Sequence, residues 1–447
     1  MSHNRVQRSP SPSKVGFPVV DRRTILKGLI GAAGLAAAPG LVAACGGDNG
    51  GGGGGGGENK TVTFGSNYSD PQPKEAMGKV MTGAKSAVGI DVKTNTIDHN
   101  TFQENINNYL GGTPDDVFAW FAGYRMQFFA KRGLATPISD VWGKVGGNFS
   151  EALKAASTGE DGQQYFIPFY MYPWAVFYRK SVFAEKGYQV PKNLDEFKAL
   201  AQQMQKDKLT PISFADKDGW PAMGTFDILN MRINGYQYHV DLMAGKEGWD
   251  TDKTKQVFQT WAELLPYHAT GALGRTWQEG GDMLAKKQAG TYLLGMFVGL
   301  QFTKPGDIED LDYFPYPEIN PEFGQDSIDA PIDGFMVSKK AKNVDGAKKL
   351  MEYLATAEAE STYLGADPNN IAAHSKADTS KYTYLQKKAV ETIGSAKHIA
   401  QFLDRDTRPD FASTVMIPSL QEFIRNPKDI DGLTKKIEQQ KKAIFVD

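Results

Sequence analysis

From Thr61 onward, short apolar runs alternate with stretches whose apolar residues recur every three or four positions. The first kind suits buried strands and the second amphipathic helices, so the pattern predicts α/β layers. TVTFGSNYSDP, Thr61 to Pro71, reads as a strand passing into a polar turn. DDVFAWFAG, Asp115 to Gly123, is a buried strand behind the breaker GGTP. YFIPFYMYPWAVFYRK, Tyr165 to Lys180, is aromatic and extended, because Pro168 and Pro173 exclude a helix interior. AGTYLLGMFVG (289–299) and DYFPYPEI (312–319) supply further strands, and IDGFMVSKKAKNVDGAKKLMEYLA (332–355) runs strand, turn, helix. NLDEFKALAQQM (193–204) opens on Asn193 with Glu196 three residues later, a capping-box pattern. It then sets Leu194, Phe197, Leu200 and Met204 on one face, and KTKQVFQTWAELL (253–265) repeats the arrangement around Trp261. These stripes are core. From Tyr382 the chain is mainly helical, interrupted at DRDTRPDF (404–411).

At 447 residues the chain is long enough for two packed domains, and 7 Trp, 18 Tyr and 25 Phe supply a large core. Its near-balanced charge hides an asymmetry. Six of the 50 Lys and Arg precede residue 45, against Asp21 alone of the 52 acidic residues, so the remainder carries 44 basic and 51 acidic side chains. That excess of negative charge disfavours a nucleic-acid partner. A single cysteine excludes a disulfide framework and a thiolate metal cluster.

The N-terminus supplies an address. DRRTILKGLIGAAGLAAAPGLVAAC passes from a basic leader through an apolar run to small residues, the order of an export signal. RRTILK, Arg22 to Lys27, resembles a twin-arginine signal, and VAAC resembles a bacterial lipobox. Residues 1–44 are therefore expected to be a signal peptide and Cys45 the lipidated first residue of the mature protein. Two acyl chains hold stably where one holds only marginally. Residues 45–60 then form a Gly-rich tether with a reach of about 20 Å. The expected location is the outer face of the cytoplasmic membrane, with the body exported and held by its lipid.

Catalytic motifs are scarce. Six histidines are scattered without the i, i+4 spacing of a helical metal site, and no G-x-S-x-G elbow occurs. GKVMTGAKS (78–86) has one residue too many for a phosphate loop and reads as helix surface; DIEDLD (307–312) lacks the central glycine of a calcium loop. No metal or cofactor is expected. Paired carboxylates for glycoside hydrolysis are set by folding rather than spacing, so an exported glycoside hydrolase stands as the alternative. An adhesion or structural lipoprotein is a third reading.

In place of such motifs the chain sets aromatic rings beside turn residues. Trp120 and Tyr124 flank a strand end, Tyr170, Tyr172 and Trp174 share the extended segment, Trp220 sits in SFADKDGWPAMGTFD, and Trp277 follows GALGRT. Rings in such places suit the C–H face of a sugar, with neighbouring carboxylates and amides for its hydroxyls.

PDDVFAWFAG, YFIPFYMYPWAVFYRKSVFAEKGYQVPKNLDEFKAL, GTYLLGMFVGL and DGFMVSKKAKNVDGAKKLMEYL together resemble the extracellular solute-binding proteins of bacterial ABC importers, in the carbohydrate-binding group that includes maltose-binding protein. The likeness runs from Thr61 to the C-terminus, with Arg179 where the family usually has Asn. It implies an α/β, two-lobe periplasmic-binding-protein-like fold, each lobe a sheet flanked by helices with a hinge between. Crossings are expected near Pro168–Tyr170 and Asp333–Phe335. One lobe would hold 61–168 and 334–375, the other 169–333 and 376–447. A monomeric, non-enzymatic receptor would then capture a carbohydrate in the cleft and deliver it to the permease subunits. Carried over by motif, the ligand-facing residues would be Asn67, Tyr68 and Asp70 after the first strand, Trp120 and Tyr124, Tyr172 and Trp174, Trp220 and Asp227, Phe297 and Asp333. DRDTRP adds Asp404, Asp406 and Arg408, beside the reading of a surface salt-bridge loop.

Overall fold

The computed structural model describes residues 60–446. The export leader, the twin-arginine and lipobox patterns, Cys45 and nearly all of the tether lie outside the described residues. Thirteen strands are described: β1 (Thr61–Ser66), β2 (Asp91–Thr96), β3 (Val117–Phe121), β4 (Ala135–Thr136), β5 (Phe166–Met171), β6 (Trp174–Arg179), β7 (Thr210–Ser213), β8 (Ala289–Gly295), β9 (Leu311–Phe314), β10 (Ser327–Asp329), β11 (Ile332–Ser338), β12 (Ile371–Ala372) and β13 (His398–Ala400).

One sheet runs in the order β12-β5-β11-β3-β1-β2, with β4 paired to β11. Its β1 is parallel to β2 and β3, whereas β11 runs antiparallel to β3 and β5. A second sheet has the order β7-β8-β6-β9, and β10 pairs with β13 in a third, two-stranded sheet. All five residues of β3 are buried, as expected of a strand covered on both faces by helices.

Pro173 decides how the chain passes between the sheets. Strand β5 ends at Met171 in the first sheet and β6 begins at Trp174 in the second, so two residues make the change. The return falls between β10 and β11, at Ala330 and Pro331. Both changes sit a few residues from the expected crossings. The reason is that Pro168 and Asp333–Phe335 are held in the first sheet by pairing between β5 and β11. A close approach needs Gly334 there, since a Cβ would lie 2.0 Å from the Ile167 carbonyl oxygen.

The helices follow the apolar pattern. Helix Leu194–Lys206 starts at Asn193, whose side chain accepts from the Glu196 N–H at 2.9 Å. Its Phe197, Leu200 and Met204 are buried. GKVMTGAKS lies within helix Pro71–Val88, and DIEDLD receives Arg179: Asp307 and Asp310 both accept from its guanidinium at 2.7 Å. DRDTRPDF becomes two short helical turns, Leu403–Asp406 and Pro409–Phe411. Among the described residues, no helix is long and apolar enough to cross a membrane.

Candidate functional site

Loops at the ends of the two larger sheets meet around a cleft. From the first sheet come Asn67, Tyr68, Ser69 and Asp70, carried by the turn after β1, and Asp333 on β11. His99 and Gln103 open helix His99–Gly111, and Tyr363, Asp367 and Asn370 close the same side. The second sheet's side is aromatic. Trp174 starts β6, Trp220 precedes helix Pro221–Asn234, Trp277 starts helix Trp277–Ala285, and Phe297 follows β8. Phe402 and Arg405 complete the wall.

These rings are packed against one another at defined angles. Phe297 stands edge-on to Trp277 at 5.0 Å, to Tyr172 at 5.4 Å and to Trp220 at 6.0 Å. Each therefore holds its neighbour's face in place. The Trp220 indole N–H is buried with no hydrogen-bond partner.

The polar wall is organised around Arg405. Its guanidinium donates to Asp333 at 2.6 Å and to the Tyr172 hydroxyl at 3.3 Å, and it lies 4.1 Å over the Phe121 ring. Burial disfavours that charge, but Asp333, aided by Tyr172 and Asp404, outweighs it and holds the group protonated above its ordinary value. Burial lowers His99, against the opposing pull of Asp333 and Asp70, so its imidazole is neutral. Tyr68, Tyr170 and Tyr363 form a phenol cluster, with Tyr170 stacked on Tyr363 at 5.2 Å. Burial raises all three, which leaves them as neutral O–H groups. Asp367 is raised by burial, offset by hydrogen bonds from Asn369, Tyr363 and Asn370. Among the described residues, no group of three His, Cys, Asp or Glu could hold a metal ion.

Hydrogen bonds join the walls directly: Gln278 donates to Asp70 at 3.4 Å, Arg125 to Asp404 at 3.1 Å and Arg405 to Asp333 at 2.6 Å, while Gln103, on the same wall as Arg125, accepts from it at 2.6 Å.

Of the residues expected to face a ligand, the structure brings Asn67, Tyr68, Asp70, Tyr172, Trp174, Trp220, Phe297 and Asp333 together. Six stand elsewhere. Trp120 is 1 % exposed and packs on Phe102, Phe121 and Phe129, its indole N–H donating to the Arg125 carbonyl at 3.2 Å. The strand end turns Trp120 into the layer beneath a helix, while Phe121 carries His99 and Arg405. Tyr124 is 40 % exposed on a separate surface cavity beside Lys131 and Arg408. Asp227 is buried behind the cleft and accepts from the Leu403 N–H at 2.6 Å; Asp406 accepts from the N–H groups of Gln401 and Phe402. Both carboxylates shape the segment that presents Phe402 and Arg405. Asp404 pairs with Arg125, and Arg408 with Asp410. Sequence reasoning missed His99, Gln103, Tyr363, Asp367, Asn370, Phe402 and Arg405. The one local signal among them is the polar turn DPNN at 367–370.

A family model for bacterial extracellular solute-binding proteins matches residues 69–361. The chain belongs to that family. Its two-sheet architecture is the family's two-lobe α/β fold, and its members are exported. The bacterial solute receptor AcbH, described as having an exclusive preference for β-D-galactopyranose, is 50% identical, with a TM-score of 0.85 over 86% of this chain and 99% of AcbH. An ABC transporter extracellular-binding protein of Pyrococcus horikoshii is 24% identical over 292 residues, 64% of this chain and 65% of its own. The diacetylchitobiose binding protein DasA of Streptomyces coelicolor is 28% identical over 308 residues, 65% of this chain and 69% of its own. The match thus spans just under two thirds of the length of the Pyrococcus relative.

Proposed function

We propose that the protein is the solute receptor of an ABC importer, which captures a sugar in the cleft and passes it unchanged to a membrane permease. The observation that carries this reading is the cleft itself: ordered rings on one wall, carboxylate, amide and phenol groups on the other, and a buried Trp220 N–H without an acceptor. Rings stack on the apolar face of a pyranose while the polar wall takes its hydroxyls. Ligand contacts are assigned to Asn67, Tyr68, Asp70, Tyr172, Trp174, Trp220, Phe297 and Asp333, with His99, Gln103, Trp277, Asp367, Asn370, Phe402 and Arg405 added. The likeness to AcbH favours a hexopyranose of the galactose class.

Closure would bring the walls together as lobes, one built on the first sheet (61–171 and 332–375) and one on the second (174–329 and 376–447). The strand changes at Tyr172–Pro173 and Ala330–Pro331 would serve as hinges. A ligand touching both walls stabilises the closed state by its differential contacts. Glycoside hydrolysis fits less well, because Asp333 is tied to Arg405 and Asp367 to Tyr363 and two asparagines. A general acid needs a carboxyl free to give up its proton. In this reading the mature protein is a monomer that begins at Cys45, holds the membrane by a diacylglyceryl group and reaches outward on the glycine tether.

Thermal-shift screening against a sugar panel, with chromatography of the recovered sugar, tests the assignment. A saturable shift with the sugar recovered intact supports it; hydrolysis products would establish an enzyme. Mass spectrometry of the membrane-extracted protein, with Cys45→Ala as control, tests the anchor.

A further inference from the structure

Helix Pro221–Asn234 is buried along its whole length. Its Gly224, Ile228 and Arg232 follow at intervals of four and so line one face. A Cβ at Gly224 would stand 2.4 and 2.6 Å from Cζ3 and Cε3 of Trp174 and 2.8 Å from Cε2 of Phe402. Both rings therefore rest on the helix backbone at that point. Their centroids are 4.9 Å apart, and both belong to the cleft wall.

One and two turns further along the same face, Ile228 and Arg232 line a second cavity with Gln325, Ser327, Thr392 and Ser395, which reaches the surface at the exposed Gln325 and Ser395. Trp174 is common to the lining of both cavities. Its lining is mixed: Arg232 donates to the carbonyls of Tyr316 at 3.0 Å and Ser327 at 2.8 Å, with hydroxyl and amide groups on one side and Ile228, Pro315 and Ile328 on the other.

Phe402 packs against the indole at the cost of backbone strain. Its φ is +145°, a conformation that L side chains rarely adopt. Such strain persists only where the surroundings over-determine it. Here Asp406 accepts from the Gln401 and Phe402 N–H groups at 2.7 and 3.2 Å, and Asp227 accepts from Leu403 at 2.6 Å. Asp227 and Asp406, which stand behind the cleft, thereby fix the phenyl ring against Trp174.

We propose that Trp174, backed by Phe402, is the partition that sets ligand length. It separates the cleft from the second cavity, so a sugar must end at the indole. This rests on the reading of the cleft as a sugar site. Specificity is then achieved by rejection: a longer sugar would have to displace a ring seated on Gly224 and held by a strained neighbour.

Calorimetric titration with D-galactose, lactose and melibiose tests the proposal on wild type, Trp174→Ala, Trp174→Phe and Gly224→Ala, each checked for folding by circular dichroism. Trp174→Leu replaces the alanine variant should that fail to fold. Wild type is expected to bind galactose and to reject both disaccharides by about 100-fold. Trp174→Ala should lose about tenfold on galactose with its ring contact and bind at least one disaccharide within about tenfold of galactose. Trp174→Phe should keep the exclusion, and Gly224→Ala, which pushes the ring into the cleft, should weaken galactose with no gain in disaccharide. Free indole added to Trp174→Ala should restore the exclusion by refilling the vacated space. A folded Trp174→Ala protein that binds galactose yet still rejects both disaccharides overturns the partition alone. So does a wild type that binds disaccharide as tightly as galactose. Absence of any sugar binding by wild type overturns the reading of the cleft, and the partition with it.

Discussion

Replacing Arg405 by methionine would remove the cation on which the polar wall is built. The side chain is 8 % exposed and its partner Asp333 is 12 % exposed, so neither charge is screened by bulk water. Methionine keeps much of the stem's packing but leaves the Asp333 carboxylate buried with no counter-charge at 2.6 Å. It also removes the donor to Tyr172 and the cation over Phe121. Breaking one side of a buried pair costs about 3–5 kcal/mol, mostly the cost of the abandoned charge. The double variant Arg405→Met/Asp333→Asn abandons no charge and should recover about half of that loss or more. Urea unfolding followed by tryptophan fluorescence, on the protein from residue 60 onward, measures both. A single-variant loss below about 1 kcal/mol, or a double variant no more stable than the single, would refute the reasoning, since surface pairs contribute only that much.

Trp220→Phe keeps a ring in the cleft wall but removes its indole N–H, and should weaken sugar affinity about tenfold with little change in stability, as read by calorimetry and thermal unfolding. Trp120→Ala should do the reverse, costing about 3–5 kcal/mol of stability while the folded protein keeps its sugar affinity. Burial pushes Asp216 up to about 7 and Asp406 up to about 6. Both are deprotonated in the unfolded chain above its ordinary carboxylate range, so the native state binds the extra protons and stability falls as pH rises from about 4 to about 7. Asp216→Asn should flatten that fall by up to about 1.4 kcal/mol per pH unit; an unchanged slope in pH-dependent urea melts would contradict the assignment. Gly334→Ala, whose Cβ would meet the Ile167 carbonyl oxygen, should disrupt the β5–β11 pairing and lower the melting temperature.

The alternation of apolar runs and helical stripes carried most of the fold, because strands covered on both faces are buried throughout, as β3, β8 and β11 are, and therefore read as mainly apolar runs. The change of sheet was less legible: it was expected near Pro168–Tyr170 and falls at Tyr172–Pro173, because β5 stays paired with β11 as far as Met171. The aromatic half of the site was also legible: Trp220, Trp277 and Phe297 sit next to turns rather than on periodic stripes. The polar half was less so. His99, Gln103, Asp367 and Arg405 reach the cleft only through tertiary packing of elements far apart in sequence, and nothing local to them distinguishes them from surface residues. Trp120 shows the converse failure. An aromatic at a strand end has two faces available to it, and a one-residue difference sends Trp120 into the core and Phe121 toward the cleft. Asp227 and Asp406 were singled out for good reason but act one layer back, as acceptors for the backbone that carries Phe402 and Arg405.

The central claim is that the cleft takes up a sugar and returns it unchanged. Calorimetric titration of the purified protein with D-galactose, followed by chromatography of the sugar released on denaturation, tests that claim most directly. One sugar bound per chain, accompanied by a change in tryptophan fluorescence that Trp220→Phe diminishes, and galactose recovered intact, is the predicted result. No heat of binding with galactose or any other sugar, or a sugar recovered chemically altered, would contradict it.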